Sequence, residues 1–465
     1  MKKTKIIATI GPSTNEENEI KNLILNGVDA IRLNMSHATT NDLKELKVKL
    51  DKINEELNTN IPILVDLNGP NVRLHKIEEN SVLEENTKIR IYKEEILGNR
   101  TKFSTDYENL IDDLQINSII KLGDGLIELM VIDKTDNYVI AEVIHGGEIK
   151  KGMSLNAPGT YLKLPFLSDK DKEIIKVSSE IEIDYLALSF VSCMEDVLEV
   201  QDELINLNDD NISIIAKIEN EQGIYELDEI IKHVDGIMVA RGDLGIEVPI
   251  QKLPQIQKEI IEKCRRSGKI SIVATEMMSS MTNSPAPTRA EVTDVATAVL
   301  EGTDCVMLSG ETTIGAYPVE TVKMMSKILE SSEENIEYEN TLEENDNITS
   351  LIASNVAKAA NSLKAKAIIA PTISGYTAKK ISCNKPKSII IAATPQNRVA
   401  RELNLYFGIK PVLVKELNSL DRLINQAKNV ASKVIDLNEG DYIVVTGGYP
   451  FKESKHTNFM KIEEI

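Results

Sequence analysis

The sequence predicts an α/β protein: a (β/α)8 barrel interrupted by a small all-β domain and followed by a separate α/β domain. Three observations carry this. Eight short, almost wholly apolar runs recur along the first two-thirds of the 465 residues, at 5–10, 30–33, 63–67, 185–190, 213–218, 236–240, 270–275 and 305–309. Helical patterns alternate with them, and apolar character throughout is what parallel strands covered on both faces require. More than a hundred residues separate the third run from the fourth, room for an inserted domain.

Taken in order, the first run follows a basic start, and only five residues separate Lys5 from Gly11. That is too short for a signal-peptide core and reads as strand one. Thr14 and Glu17 then have capping-box spacing, Ile20, Leu23 and Ile24 form a stripe, and Gly27 supplies the stop, which predicts a helix. The interval from about 71 to 160 is dense in Ile, Val, Gly and Asp-Asn turns, as in IIKLGDGLIELMVIDKTDNYVIAEVIHGG, and reads as the inserted β-domain. Further on, Leu253, Ile256, Ile260 and Cys264 share one helix face, closed by Ser267 and Gly268, and eight β units with helices between them is the count of a barrel. From about residue 349 the alternation restarts, with strands expected at 367–370, 388–392, 410–414 and 441–446. The acidic SSEENIEYENTLEENDN before it reads as an exposed linker. The expected domains are therefore 1–70 with 161–338 (barrel), 71–160 (β-domain lid) and 345–465 (C-terminal α/β domain, regulatory or oligomerising).

Composition narrows the function. Hydrophobic content of 42% and charged content of 27% are those of an ordinary globular protein, and no apolar stretch approaches the roughly 18 residues of a membrane span. A net charge of −20 without a basic cluster disfavours nucleic acid and anionic membranes. The absence of Trp disfavours base stacking. Four cysteines, far apart and without a CxxC pair, fit a reducing, cytoplasmic setting better than bridges or zinc.

Functional groups of such barrels come from the C-terminal ends of the strands. Strand two ends in Arg32, Asn34 and Ser36, strand three in Asp66, and strand five in Lys217 and Glu219. Strand six runs into Arg241, Gly242 and Asp243, strand seven into Thr275, and strand eight into Ser309 and Glu311. Glu219 and Asp243 make a carboxylate pair of hard oxygen ligands suited to Mg²⁺; a salt-bridged pair at the barrel mouth is the plain alternative. Lys217, two residues before Glu219, shares its face of the strand and could stabilise charge on a transferring phosphoryl group. The turn at Gly242 and Asp243 offers backbone N–H groups for a carboxylate or phosphate.

The stretches TKIIATIGP, IRLNMSH, AKIENEQG, DGIMVARGDLG, PTRAEVTDVATAVLEGTDCVMLSGET and KAIIAPTISGYTA resemble the signatures of the pyruvate kinases, in that family's order and along essentially the whole chain. The resemblance implies transfer of a phosphoryl group from phosphoenolpyruvate to ADP, the last step of glycolysis, by a cytoplasmic homotetramer that uses Mg²⁺ (or Mn²⁺) and K⁺. It implies that Arg32 binds the substrate phosphate and that Lys217 stabilises the transition state. Glu219 and Asp243 would hold magnesium, and the Gly242 and Asp243 amides with Thr275 would seat the substrate carboxylate. Asn34, Ser36, Asp66 and the Leu67 carbonyl match the potassium site. Arg73 and Lys151, with Pro12 and His37, match the nucleotide contacts, although SLNAPG after Lys151 is longer than the usual segment.

Several positions depart from the family. Where it reads D-T-K-G-P-E-I-R-T, this chain has DLNGPNVRL. The family's glutamate there accompanies potassium dependence and a lysine independence, so Asn71 leaves that requirement open. Ser192 replaces a common arginine, and Glu276 a usual glutamine, putting a carboxylate at a mouth that receives an anion. Two other readings remain. One is a magnesium-dependent aldolase or lyase acting on pyruvate or oxaloacetate enolates, which would not need the lid with Arg73 and Lys151. The other is a weakly active regulatory paralogue. The turn TISGYT at 372–377 has hydroxyls and a glycine suited to a phosphate effector, or is a plain strand-to-helix turn; the last loop, 447–457, departs from the family's glycine-rich version, and no effector is named.

Overall fold

The structure, a computed structural model, describes the chain except for residues 210, 335, 337, 339–346, 415–428 and 450–455. The first three strands are β1 (Lys5–Thr9), β2 (Ala30–Asn34) and β3 (Ile63–Asp66). The chain then leaves to build β4 (Val72–Arg73), β5 (Val82–Leu83), β6 (Lys88–Tyr92), β7 (Lys102–Ser104), β8 (Ile119–Leu122), β9 (Ile127–Lys134), β10 (Tyr138–His145), β11 (Gly147–Glu148) and β12 (Ser154–Asn156). It returns as β13 (Tyr185–Leu188), β14 (Ser213–Ile218), β15 (Gly236–Ala240), β16 (Ile270–Ala274) and β17 (Cys305–Leu308). These close with β1–β3 into a barrel of order β1-β17-β16-β15-β14-β13-β3-β2, in which every pairing is parallel. This is the expected TIM barrel.

Alternation along each strand divides the core. In β1, Ile6 and Ala8 pack outward with the helix-facing cluster, while Ile7 points inward with Leu64, Tyr185, Ile215 and Met238. Helix Leu253–Ser267 ends as predicted, on Gly268 in the left-handed region at φ 74°. The first helix does not begin as predicted. It spans Glu17–Leu25 with Glu16 at the N-cap and no side-chain cap. Thr14 is fully buried and donates its hydroxyl to Thr312 O at 2.7 Å, so a tertiary partner takes the proposed cap residue.

The lid has its own core, from Val72 through Phe103 and Leu129 to Leu155, under a seven-stranded sheet of order β4-β12-β8-β9-β10-β6-β7. The C-terminal domain holds β18 (Ala367–Pro371), β19 (Ile389–Thr394), β20 (Ile409–Leu413), β21 (Tyr442–Gly447) and β22 (Phe459–Glu464) in the order β20-β19-β18-β21-β22. The strand β22, antiparallel to β21, was not expected.

This domain seats on the lower end of the barrel. The inward cluster of the barrel continues without a break through Ala353, Ile368, Ala378 and Leu403. Polar contacts ring that junction. Lys385 Nζ stands 2.7 Å from Asp304 Oδ1, Arg401 Nε 2.7 Å from Asp184 Oδ1, and the Tyr185 hydroxyl donates to Glu402 O at 2.6 Å. The acidic segment expected to be an exposed linker is partly built into the fold. Helix Pro318–Glu333 extends into it, Glu333 accepts the Lys3 and Thr4 amides at 2.7 Å each, and Tyr338 donates to Val299 O at 2.7 Å. Among the described residues, no helix is long and apolar enough to cross a membrane.

Candidate active site

At the C-terminal mouth, side chains from β2, β3 and β14 form one buried charge cluster. Arg32, on β2, donates through Nε to Asp66 Oδ2 at 2.7 Å and through Nη1 to Thr9 Oγ1 at 2.9 Å. Asp66, at the end of β3 and 1% exposed, uses its other oxygen for Lys217 Nζ at 3.1 Å. Lys217 Nζ also lies 3.1 Å from Oε1 of Glu219, which stands one residue past the end of β14 and on the same side as Lys217. Lys217 and Arg32 pull the Asp66 pKa down against its burial. Asp66 and Glu219 hold Lys217 charged, raising its pKa although burial works the other way.

Glu219 differs from Asp66. Burial, with the charges of Asp243 and Asp66 adding to it, pushes its carboxyl up to about 7 against the pull of Lys217. Burial likewise raises Asp243, with Lys217 opposing and Asp124 of the lid adding to the rise. A carboxylate pair, Glu219 buried and Asp243 partly so, with more negative charge than one lysine compensates is the donor set a divalent cation neutralises. Among the described residues no three His, Cys, Asp or Glu side chains converge as a metal cage; magnesium needs only one or two carboxylates, with waters and substrate oxygens completing its shell.

Beyond β15 the chain turns at once into helix Arg241–Glu247. Gly242 donates its amide to Thr275 Oγ1 at 2.8 Å, and that hydroxyl donates to Ala274 O at 2.6 Å. The seventh strand was expected to run to Thr275; it stops at Ala274, and Thr275 and Glu276 turn in the left-handed region at φ 66° and 52°. Such a conformation is costly for a β-branched residue. Arg241 holds it, with Nη2 2.7 Å from Thr275 O and Nη1 2.7 Å from Asp294 Oδ1. Glu276 is exposed and outside the charge cluster. Glu311, by contrast, accepts the amides of Met278 at 3.1 Å and Ser309 at 2.8 Å, which makes it a brace for the mouth.

The remaining candidates lie around this centre. Asn34 Oδ1 accepts the Ser36 amide at 3.0 Å, and Leu67 O accepts a bond from Ser189 at 2.8 Å. Pro12 and His37 are exposed after β1 and β2. In the lid, β12 pairs with β4, and Arg73 Nη1 donates to Gly152 O at 2.9 Å, which sets Arg73 beside the turn of Lys151; both side chains are exposed. The lid rests on helix Arg241–Glu247, through Lys121 Nζ to Ile246 O at 2.6 Å and Asn156 Nδ2 to Glu247 Oε1 at 3.1 Å. A cavity of about 470 Å³ between lid and barrel is lined by Asn71, Asn156, Ser192, Asn220 and Glu247 among others. Asn71 and Ser192 therefore face this cavity.

Sequence reading missed Ser189, whose hydroxyl lies 2.7 Å from Lys217 Nζ. The strand-end rule would have found it, since β13 stops at Leu188; an expected strand through residue 190 hid it. Thr9 was also missed. In the C-terminal turn, Gly375 N donates to Thr372 Oγ1 at 2.9 Å, and the Thr377 and Thr457 hydroxyls bond each other at 2.7 Å. Most of the loop 447–457 lies outside the described residues.

Residues 1–322 match the family model for the barrel domain of pyruvate kinase, and residues 350–463 the model for its alpha/beta domain. Pyruvate kinases of Staphylococcus aureus strains MRSA252 and USA300 are 41% identical over 473 residues, a match covering all of this chain and 81% of theirs. A crystal structure of a pyruvate kinase from Cryptosporidium parvum superposes with a TM-score of 0.94 at 33% identity, covering 100% of this chain and 96% of that one.

Proposed function

This chain belongs to the pyruvate kinase family, and on that premise we propose how its residues divide the work. The reaction moves the phosphoryl group of phosphoenolpyruvate to ADP, giving pyruvate and ATP. The bond between phosphorus and the enol oxygen breaks, its electron pair stays on that oxygen, and a terminal ADP oxygen bonds to phosphorus. The enolate then takes a proton at carbon.

Catalysis of phosphoryl transfer is mostly positioning and charge stabilisation. Arg32 and Lys217 are the cations for the phosphoryl oxygens, and Asp66 braces both of them. The observation that carries this reading is Lys217 Nζ standing 3.1 Å from both Asp66 and Glu219, charged and central in the cluster. Lys217 also stabilises the enolate oxygen. Glu219 and Asp243 fit Mg²⁺ (or Mn²⁺), which when bound supplies Lewis-acid neutralisation of the substrate oxygens. The amides of Gly242 and Asp243 receive the substrate carboxylate, for which Gly242 exchanges its present bond to Thr275. Because the Thr275 proton is committed to Ala274 O, Thr275 acts as a positioning group in the proton network and not as the direct donor.

Asn34, Ser36, Asp66 and Leu67 O are the oxygen donors for K⁺, and Arg73, Lys151, Pro12 and His37 the nucleotide contacts. A homotetramer and the C-terminal domain as the regulatory unit complete the proposal. The test is formation of pyruvate from phosphoenolpyruvate and ADP, coupled to its reduction and followed with and without Mg²⁺. Turnover that needs Mg²⁺ and disappears in Lys217→Met is expected; metal-independent turnover, or an active Lys217→Met, would remove the assigned roles.

A further inference from the structure

We infer that Ser189 is a positioning residue for Lys217, fixing where its ammonium stands. Lys217 Nζ carries three N–H donors, and three oxygens stand ready to receive them: Ser189 Oγ at 2.7 Å, Asp66 Oδ1 at 3.1 Å and Glu219 Oε1 at 3.1 Å. The shortest contact goes to the neutral group. Both carboxylates have other obligations, Asp66 Oδ2 to Arg32 at 2.7 Å and Glu219 Oε2 to the Phe190 amide at 2.7 Å. Their hold on Nζ changes whenever charge enters or leaves the site. The hold of an uncharged hydroxyl does not.

The hydroxyl is itself fixed by backbone. With its oxygen accepting from Lys217, its single proton goes to Leu67 O at 2.8 Å in preference to Asp66 Oδ1 at 3.3 Å. Ser189 is 4% exposed, and the loop after β3 presses directly on it. Gly69 sits at φ 66°, where a Cβ would stand 2.6 Å from Ser189 O and 2.8 Å from Ser189 Cβ; only glycine allows that approach. The chain from Leu67 O through Ser189 to Lys217 thus sets the ammonium by main-chain geometry, as preorganised charge stabilisation requires.

The inference rests on reading Lys217 as the stabiliser of the transferring group. Ser189→Ala should lower kcat about 10- to 100-fold, since small misplacement of a catalytic group costs on that order, with KM for phosphoenolpyruvate within about three-fold and a melting temperature lowered by no more than a few degrees. Ser189→Cys fills the volume but is a weak acceptor, and should remain as slow as Ser189→Ala. Turnover within two-fold of wild type in Ser189→Ala, full recovery in Ser189→Cys, or an effect confined to KM overturns the inference. Lys217→Met is measured alongside. Near wild-type turnover there removes the underlying reading and the inference with it, whereas a dead Lys217→Met beside an unimpaired Ser189→Ala overturns the inference alone.

Discussion

Arg241 spans the gap between Thr275 O and Asp294 Oδ1, 2.7 Å from each, and so clamps a threonine whose backbone stands at φ 66°. Left-handed geometry costs a residue with a Cβ about 1–2 kcal/mol, and glycine is spared most of it. Thr275→Gly and Thr275→Ala both lose the hydroxyl proposed to position the proton network, so both should lose turnover. The glycine variant should be the more stable of the two, by about 1 kcal/mol. Denaturation of the pair decides it; equal stabilities would show that the turn is unstrained.

Glu219→Ala and Asp243→Ala should each abolish activity at ordinary magnesium concentrations, because each removes one of two protein carboxylates proposed for the ion. Raised Mg²⁺ or Mn²⁺ should restore activity only in part. Titration calorimetry with Mn²⁺ gives a second readout, in which each variant binds more weakly than wild type. Unchanged Mn²⁺ affinity in both would move the metal elsewhere.

Activity should depend on potassium less steeply than in an enzyme carrying glutamate at the position of Asn71. Replacing a carboxylate by an amide removes one negative charge, and a Coulomb term over several ångströms is worth on the order of 1 kcal/mol at a partly shielded site. Asn71 is exposed and lines the cavity beneath the lid. Potassium titrations of wild type, Asn71→Glu and Asn71→Lys in tetramethylammonium buffer test it. A steeper requirement in the first variant and a flatter one in the second are expected; three superimposable curves would show that the residue has no bearing on the ion.

Lys5 yields a pH effect on stability. Its ammonium is buried, donates to Ile409 O at 2.7 Å, and lies 3.8 Å from Asp29 Oδ1. Burial pushes its pKa down to about 8, more than Asp29 pulls it up, against 10.5 for the unfolded group. Between those values the unfolded chain binds more protons than the folded one, so this group makes folding more favourable as pH rises. The melting temperature of wild type should therefore gain on that of Lys5→Met from about pH 8 to pH 10. A constant difference across that range would show that Lys5 titrates in the fold as it does in water.

The barrel strands were legible because a strand covered on both faces has little choice but apolar residues, and the strand-end rule then led to Arg32, Asp66, Lys217, Glu219 and Asp243. What stayed hidden follows from tertiary forces that a local pattern does not carry. Phe190 and Thr275 adopt φ of 58° and 66° against the preference of aromatic and β-branched residues, so the sequence runs that read as strand continue past the ends at Leu188 and Ala274. The strand β22, FMKIEE, is an edge strand rich in charge, a composition that discourages pairing with other chains and also conceals the strand. Thr14 looked like a cap because its sequence spacing was right, and only the fold reveals the Thr312 carbonyl that claims it.

The unbroken apolar cluster beneath the barrel has a calorimetric consequence. The barrel interior and one face of the C-terminal sheet share one body of side chains, the other face of that sheet carrying its own cluster, whereas the core of the lid is separate and meets the barrel through polar contacts such as Lys121 with Ile246 and Asn156 with Glu247. Cooperative units follow shared cores, not the count of domains. Heating should therefore produce two heat-absorption peaks and not three, the lid melting by itself. Removing the chain from residue 348 onward would leave the floor of the barrel, with Tyr185, Ile270 and Cys305, open to water, so the remaining chain is expected to melt well below the full one.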